Sequence, residues 1–88
     1  MITKDYIITA TQGMHARPAT SLVKLGRGFA SVISMKKGGK TVRINSLLNI
    51  LSLAIKGGDT ITMIIDGADE ADAAQAIDTF FTTELKDQ

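Results

Sequence analysis

From Ile2 to Ile8, Ile2, Tyr6 and Ile8 fall on one side of an extended chain and Thr3, Asp5 and Thr9 on the other, a period of two that predicts a strand. After Gly13 the period changes. Ala16, Ala19, Leu22 and Val23, with Leu25 nearby, lie at helical spacing, and Gly26-Arg27-Gly28 supplies the stop, so a first helix is expected over roughly 16–27. The paired glycines are expected to fray its last turn. Two β-rich runs, 29–36 and 40–44, flank Gly38-Gly39, a pair able to take the positive φ angles that a tight hairpin requires. Asn45-Ser46 then offers an N-cap to the apolar run "LLNILSLA" before Gly57-Gly58, a second, short helix. In that run Leu48, Leu51 and Ile55 have the i, i+3, i+7 spacing of a helix face, leaving Leu47 and Ile50 partly elsewhere, and the bland reading is that all of them are core. Residues 60–66 set Ile61, Met63 and Ile65 on one face of a strand. Asp69-Glu70 opens a third helix over 70–85, with Ala73, Ala74, Ile77, Phe81 and Leu85 as its apolar stripe.

The order β-α-β-β-α-β-α implies an α+β fold: an open-faced β-sandwich whose four-stranded antiparallel sheet carries three helices on one face. At 88 residues, without linker or repeat, the expectation is a single domain over 1–88.

Composition narrows the function. Ten Lys+Arg against nine Asp+Glu leave a net charge of +1, too little for a field that attracts nucleic acid or a membrane surface. Partners must be found through a local patch. The absence of cysteine removes disulfides and thiol chemistry. "MITKDY" has no apolar leader, and no apolar run nears the ~20 residues of a membrane span. A cytoplasmic monomer is expected.

The chemistry concentrates in "TQGMHARPAT", which holds the only histidine, His15, and the only proline, Pro18. If the first helix starts at Ala16, His15 is its N-cap, and Pro18 falls in the first turn, where a missing N–H costs nothing. The free N–H groups of Ala16 and Arg17, the helix dipole and the Arg17 guanidinium then converge on whatever the imidazole carries, an anion site. Neutral imidazole is a good nucleophile near pH 7, and a guanidinium binds phosphate oxygens in a fork. The bland alternative is a capping histidine beside a solvated arginine, since one histidine makes neither a metal site nor a triad.

"GMHARPAT" resembles the active-site signature of the histidine phosphocarrier (HPr) family of the bacterial sugar phosphotransferase system. "GGKTVRINSLLNILSL" resembles that family's second signature around a serine, and "DGADEADA" its last strand-to-helix corner. The resemblance implies a phosphocarrier rather than an enzyme: His15 accepts a phosphoryl group on Nδ1 from enzyme I, itself charged by phosphoenolpyruvate, and passes it to IIA domains of sugar permeases. Arg17 would steady that group, with no metal or organic cofactor. Ser46 falls on the regulatory serine, a substrate of an HPr kinase whose product recruits a transcriptional regulator in catabolite repression. Leu47, Leu48 and Leu51 would form an exposed docking patch beside His15, rimmed by Thr20, Lys24 and Arg27. Departures are Gln12, whose length is expected to crowd the loop, Leu47-Leu48-Asn49 in place of Ile-Met-Gly, and Ala54 where the family usually has glycine. Two other readings are a mainly regulatory or nitrogen-branch paralogue acting through phosphorylation-dependent binding, and a metabolite-binding α+β domain.

Overall fold

The computed structural model describes residues 1–85; residues 86–88, the end of the expected domain, lie outside the described residues. The elements are β1 (Ile2–Ile7), α1 (Ala16–Arg27), β2 (Val32–Lys37), β3 (Lys40–Arg43), α2 (Leu47–Leu51), β4 (Thr60–Asp66) and α3 (Glu70–Thr79). A single π-helical turn, Phe80–Glu84, extends α3. The strands form one sheet in the order β1-β4-β2-β3, every neighbour antiparallel. Tyr6 lies opposite Ile61, and Met63 opposite Met35, which in turn faces Val42. Alternation therefore sends Ile61, Met63, Ile65, Ile33 and Met35 into the core, where the helices cover them with Leu22, Ile50, Ile77, Phe80 and Leu85. Thr3, Asp5 and Ile7 of β1 stay exposed on the other face.

Several boundaries differ from the periodicity, each for a local reason. The run 29–36 is extended only from Val32, because the Asp69 carboxylate takes the N–H groups of Ala30 (2.8 Å) and Ser31 (2.9 Å) and the Ser31 hydroxyl, so that these donors do not join the ladder. Asp69 consequently forms no side-chain cap on α3 and ties the β4–α3 corner to the segment leaving α1. Helix α2 stops at Leu51, and Ala54 adopts a left-handed φ of +50°. Ile55 thus leaves the helix, and the expected face of Leu48, Leu51 and Ile55 does not exist. Ile50, with no exposed surface, anchors α2, whereas Leu48 is 77% exposed.

The glycines at the end of α1 do not fray it. The helix runs to Arg27, and Gly28 N–H donates to Leu25 O at 3.1 Å. Gly26 serves contact instead: a Cβ there would lie 2.9 Å from Ile44 Cδ1. The end of α3 keeps its expected apolar stripe, with Phe80 added. Phe81 stacks on Tyr6 at 4.6 Å between ring centroids, and burial together with the Asp78 carboxylate pushes the Tyr6 hydroxyl well above its ordinary range.

Candidate functional site

The loop from Ala10 to His15 is held from below by residues 55–59. Ile8 N–H donates to Asp59 O and Gly58 N–H to Ile8 O, both at 2.8 Å, and Met14 N–H donates to Ile55 O at 3.1 Å. Gly13 sits at φ +67°, and a Cβ there would come within 2.2 Å of Ile55 O, an approach that only glycine permits. Met14 is buried, and this seats the next residue at the head of α1.

His15 is the N-cap of α1, with extended backbone (φ −93°, ψ −173°) and no side-chain capping bond. Its carbonyl accepts from Ala19 N–H at 3.0 Å, the first closed turn. Pro18 contributes no donor, so the N–H groups of Ala16 and Arg17 are the first-turn donors without an intrahelical partner. His15 is half-buried and Ala16 and Arg17 are exposed, while Pro18 and Ala19 are buried behind them. The imidazole therefore has nothing to do for its own helix and stands where the helix dipole is positive.

The outer surface of α1 is one-sided in charge. Arg17, Thr20, Lys24 and Arg27 are all exposed, and the helix contains no acidic residue. The Thr20 hydroxyl donates to Ala16 O at 2.7 Å. Helix α2 packs against α1 and presents Leu48 fully, with Leu47 and Leu51 half-buried. Of the three leucines expected to form a patch, only Leu48 is exposed; Leu47 and Leu51 pack against the core to which Ile50, Leu53 and Ile55 belong.

Ser46 is the N-cap of α2, and its hydroxyl accepts from Asn49 N–H at 3.5 Å, a long bond that leaves the half-buried side chain lightly held. The Asn49 amide donates to Arg43 O (3.1 Å) and Asn45 Oδ1 (3.3 Å), fixing the β3–α2 corner that carries Ser46. Gln12 is exposed and does not press into the loop. A cavity of about 150 Å³ lies at the opposite end of α1 from His15, between Arg27, Phe29, Ser31, Arg43 and Asn45.

Sequence reasoning missed the platform beneath the His15 loop. Ala54, Ile55, Asp59 and Lys37, which reaches across from β2, were legible only indirectly, through Gly57-Gly58. A Cβ on Gly57 would lie 2.8 Å from Ala10 O, so that glycine marks a close backbone approach as well as a stop. Among the described residues no group of three or more His, Cys, Asp or Glu side chains is placed to hold a metal ion. No helix there is long and apolar enough to cross a membrane.

Fold and site together define a small open-faced α+β sandwich with a histidine at the N-cap of its first helix. A family model described as "PTS HPr component phosphorylation site" matches residues 2–83, and the chain belongs to this HPr family of phosphocarrier proteins. Its fold is similar to that of a histidine-containing phosphocarrier protein of Mycoplasma, at 36% identity over 96% of each chain with a TM-score of 0.91. The phosphocarrier protein HPr of Bacillus anthracis aligns at 34% identity over 91% of this chain and 95% of that one, with a TM-score of 0.84. Crh, the Bacillus subtilis catabolite repression protein, whose structure is described as a domain-swapped dimer, aligns at 30% identity over 96% of this chain and 97% of its own, with a TM-score of 0.75.

Proposed function

We propose that this single-domain protein carries phosphoryl groups within the phosphotransferase system. The Nδ1 lone pair of neutral His15 attacks the phosphorus atom carried by charged enzyme I, forming an N–P bond as the donor's bond to phosphorus breaks and its electron pair returns to the donor. A nucleophile on the IIA domain of a sugar permease then attacks the same phosphorus, forming its own bond as the N–P bond breaks and freeing the imidazole. The observation that carries this reading is the uncommitted imidazole at the N-cap of α1, beside the free N–H groups of Ala16 and Arg17. These donors and the Arg17 guanidinium would stabilise the phosphoryl oxygens, and half-exposure keeps the group within a partner's reach. The acid-free outer face of α1 and the exposed Leu48 supply a small mixed docking surface suited to brief encounters. A cytoplasmic location and a monomeric state fit this role.

Incubation with phosphoenolpyruvate and enzyme I is expected to add one acid-labile, base-stable phosphate that His15→Ala abolishes. A wild-type protein that stays unlabelled with several enzyme I homologues would overturn the proposal. The likeness to Crh and the lightly held Ser46 hydroxyl favour a second, regulatory role. Phosphorylation of Ser46 by an HPr kinase would add about −1.5 to −2 charges beside the docking surface, recruiting a transcriptional regulator and disfavouring enzyme I. Ser46→Ala is expected to abolish the first effect while leaving His15 labelling intact.

A further inference from the structure

Among the described residues, Ala54 is the only non-glycine residue with positive φ, a conformation that is unfavourable for a residue with a Cβ and persists only where its surroundings impose it. The surroundings are specific. Lys37, the last residue of β2, donates from Nζ to Ala54 O at 2.8 Å and pairs with Asp59 Oδ2 at 2.9 Å. The same carboxylate oxygen accepts Lys56 N–H at 2.8 Å, and Asp59 N–H donates to Lys56 O at 3.0 Å. The side chains of Lys37 and Asp59 are only 29% and 30% exposed, and this ammonium holds the Asp59 carboxyl below the ordinary carboxylate range. Between these two anchored positions lies Ile55, whose carbonyl receives Met14 N–H and against which Gly13 is pressed. One residue beyond Met14 is His15.

We infer that Lys37 is a positioning residue for His15: its ammonium clamps Ala54 O and Asp59, fixing the Ile55 carbonyl on which the loop preceding the N-cap hangs. Lys37 touches neither the imidazole nor the phosphoryl group. The inference rests on the phosphoryl-carrier reading for its consequence, though not for its geometry. It also accounts for a left-handed alanine where a glycine would cost less: the clamp supplies the restraint that glycine would make unnecessary.

The test compares wild type, Lys37→Gln, Ala54→Gly and the double variant by two readouts. The first is amide hydrogen exchange at Met14, expected to be about tenfold faster in Lys37→Gln. The second is the rate of phosphoryl transfer from enzyme I per folded molecule, expected to fall about three- to tenfold, since small misplacements of a reacting group carry large rate penalties. In the Ala54→Gly background the same lysine substitution is expected to cost less than about twofold in both, because glycine adopts this conformation without the strain that the clamp must otherwise hold in place. Asp59→Asn, which removes the other half of the ion pair, is expected to loosen Met14 as Lys37→Gln does. Unchanged exchange at Met14 in both Lys37→Gln and Asp59→Asn overturns the clamp, as does a transfer rate indifferent to Lys37 in folded protein or a loss that Ala54→Gly does not relieve. If wild type accepts no phosphate at all, the carrier reading falls, and exchange at Met14 alone decides the clamp.

Discussion

Gly13→Ala and Gly38→Ala both place a Cβ at a left-handed backbone position, φ +67° and +59°, but they meet different surroundings. The Gly38 Cβ would have nothing within 4 Å, whereas the Gly13 Cβ would lie 2.2 Å from Ile55 O and 2.6 Å from Lys56 Cα, both backbone atoms. The conformational penalty of about 1–2 kcal/mol is common to the two, offset by about 0.4–1 kcal/mol because alanine restricts the unfolded chain. Gly38→Ala should therefore cost about 0.5–1 kcal/mol. In Gly13→Ala the loop must also move off residues 55–56. That breaks the Met14 N–H···O=C Ile55 bond, leaving a donor without its partner at about 1–3 kcal/mol, and partly uncovers the buried Met14 side chain at about 1 kcal/mol. The total is about 3–5 kcal/mol. For a domain of this size each kcal/mol shifts Tm by about 4–8 °C, so Gly13→Ala should melt about 10–30 °C below Gly38→Ala. Urea unfolding followed by far-ultraviolet circular dichroism measures the difference. If the two variants lie within about 0.5 kcal/mol, the His15 loop is not seated on Ile55, and the geometry argued for the N-cap fails with it.

Other expectations test separate parts of the molecule. Ile50→Ala should destabilise by about 2–5 kcal/mol through a cavity, whereas Leu48→Ala should stay within about 0.5 kcal/mol yet slow phosphoryl transfer between partners; equal melting of the two would contradict the assignment of core and docking faces. Ala54→Gly should raise stability by about 0.5–1 kcal/mol, the left-handed penalty less the added chain entropy. Asp59, Asp69 and Asp78 are each held below the ordinary carboxylate range, chiefly by Lys37, the Ser31 hydroxyl and Lys4 respectively. The unfolded chain therefore binds more protons than the folded one in acid, so stability is fully present above the unfolded carboxylate values and is lost as pH falls through the lowered ones. Tm should be flat from about pH 7 to 5 and drop below about pH 4, less steeply in Asp69→Asn; an unchanged slope there would refute the role given to the Ala30–Ser31 bonds.

What the sequence disclosed follows from the reach of each interaction. Alternation in β1 and β4 and the helical stripe of α1 are set by burial on one face, so their periods gave the elements to within a residue or two. The N-cap assignments of His15 and Ser46 were legible because capping is local chemistry read from adjacent residues. Asp69, in contrast, has the sequence context of a helix start, but its carboxylate reaches 38 residues back to Ser31 and shortens β2. The end of α2 misled in the same way. Nothing within "LLNILSLA" announces the left-handed turn at Ala54, because the group that holds it, Lys37, lies 17 residues away. The i, i+3, i+7 spacing therefore runs through Leu48, whereas the residue that α2 buries is Ile50. The residues that bear the proposed chemistry were visible, and the platform that orients them was not.

The most direct measurement is ³¹P and ¹⁵N magnetic resonance of the protein after charging with phosphoenolpyruvate and enzyme I. One phosphoramidate resonance is expected, coupled to Nδ1 of the sole imidazole, disappearing on addition of a IIA domain and absent from His15→Ala. A phosphate that survives acid, sits on another residue, or stays on the protein when the acceptor domain is added would contradict the assignment of this protein as a carrier.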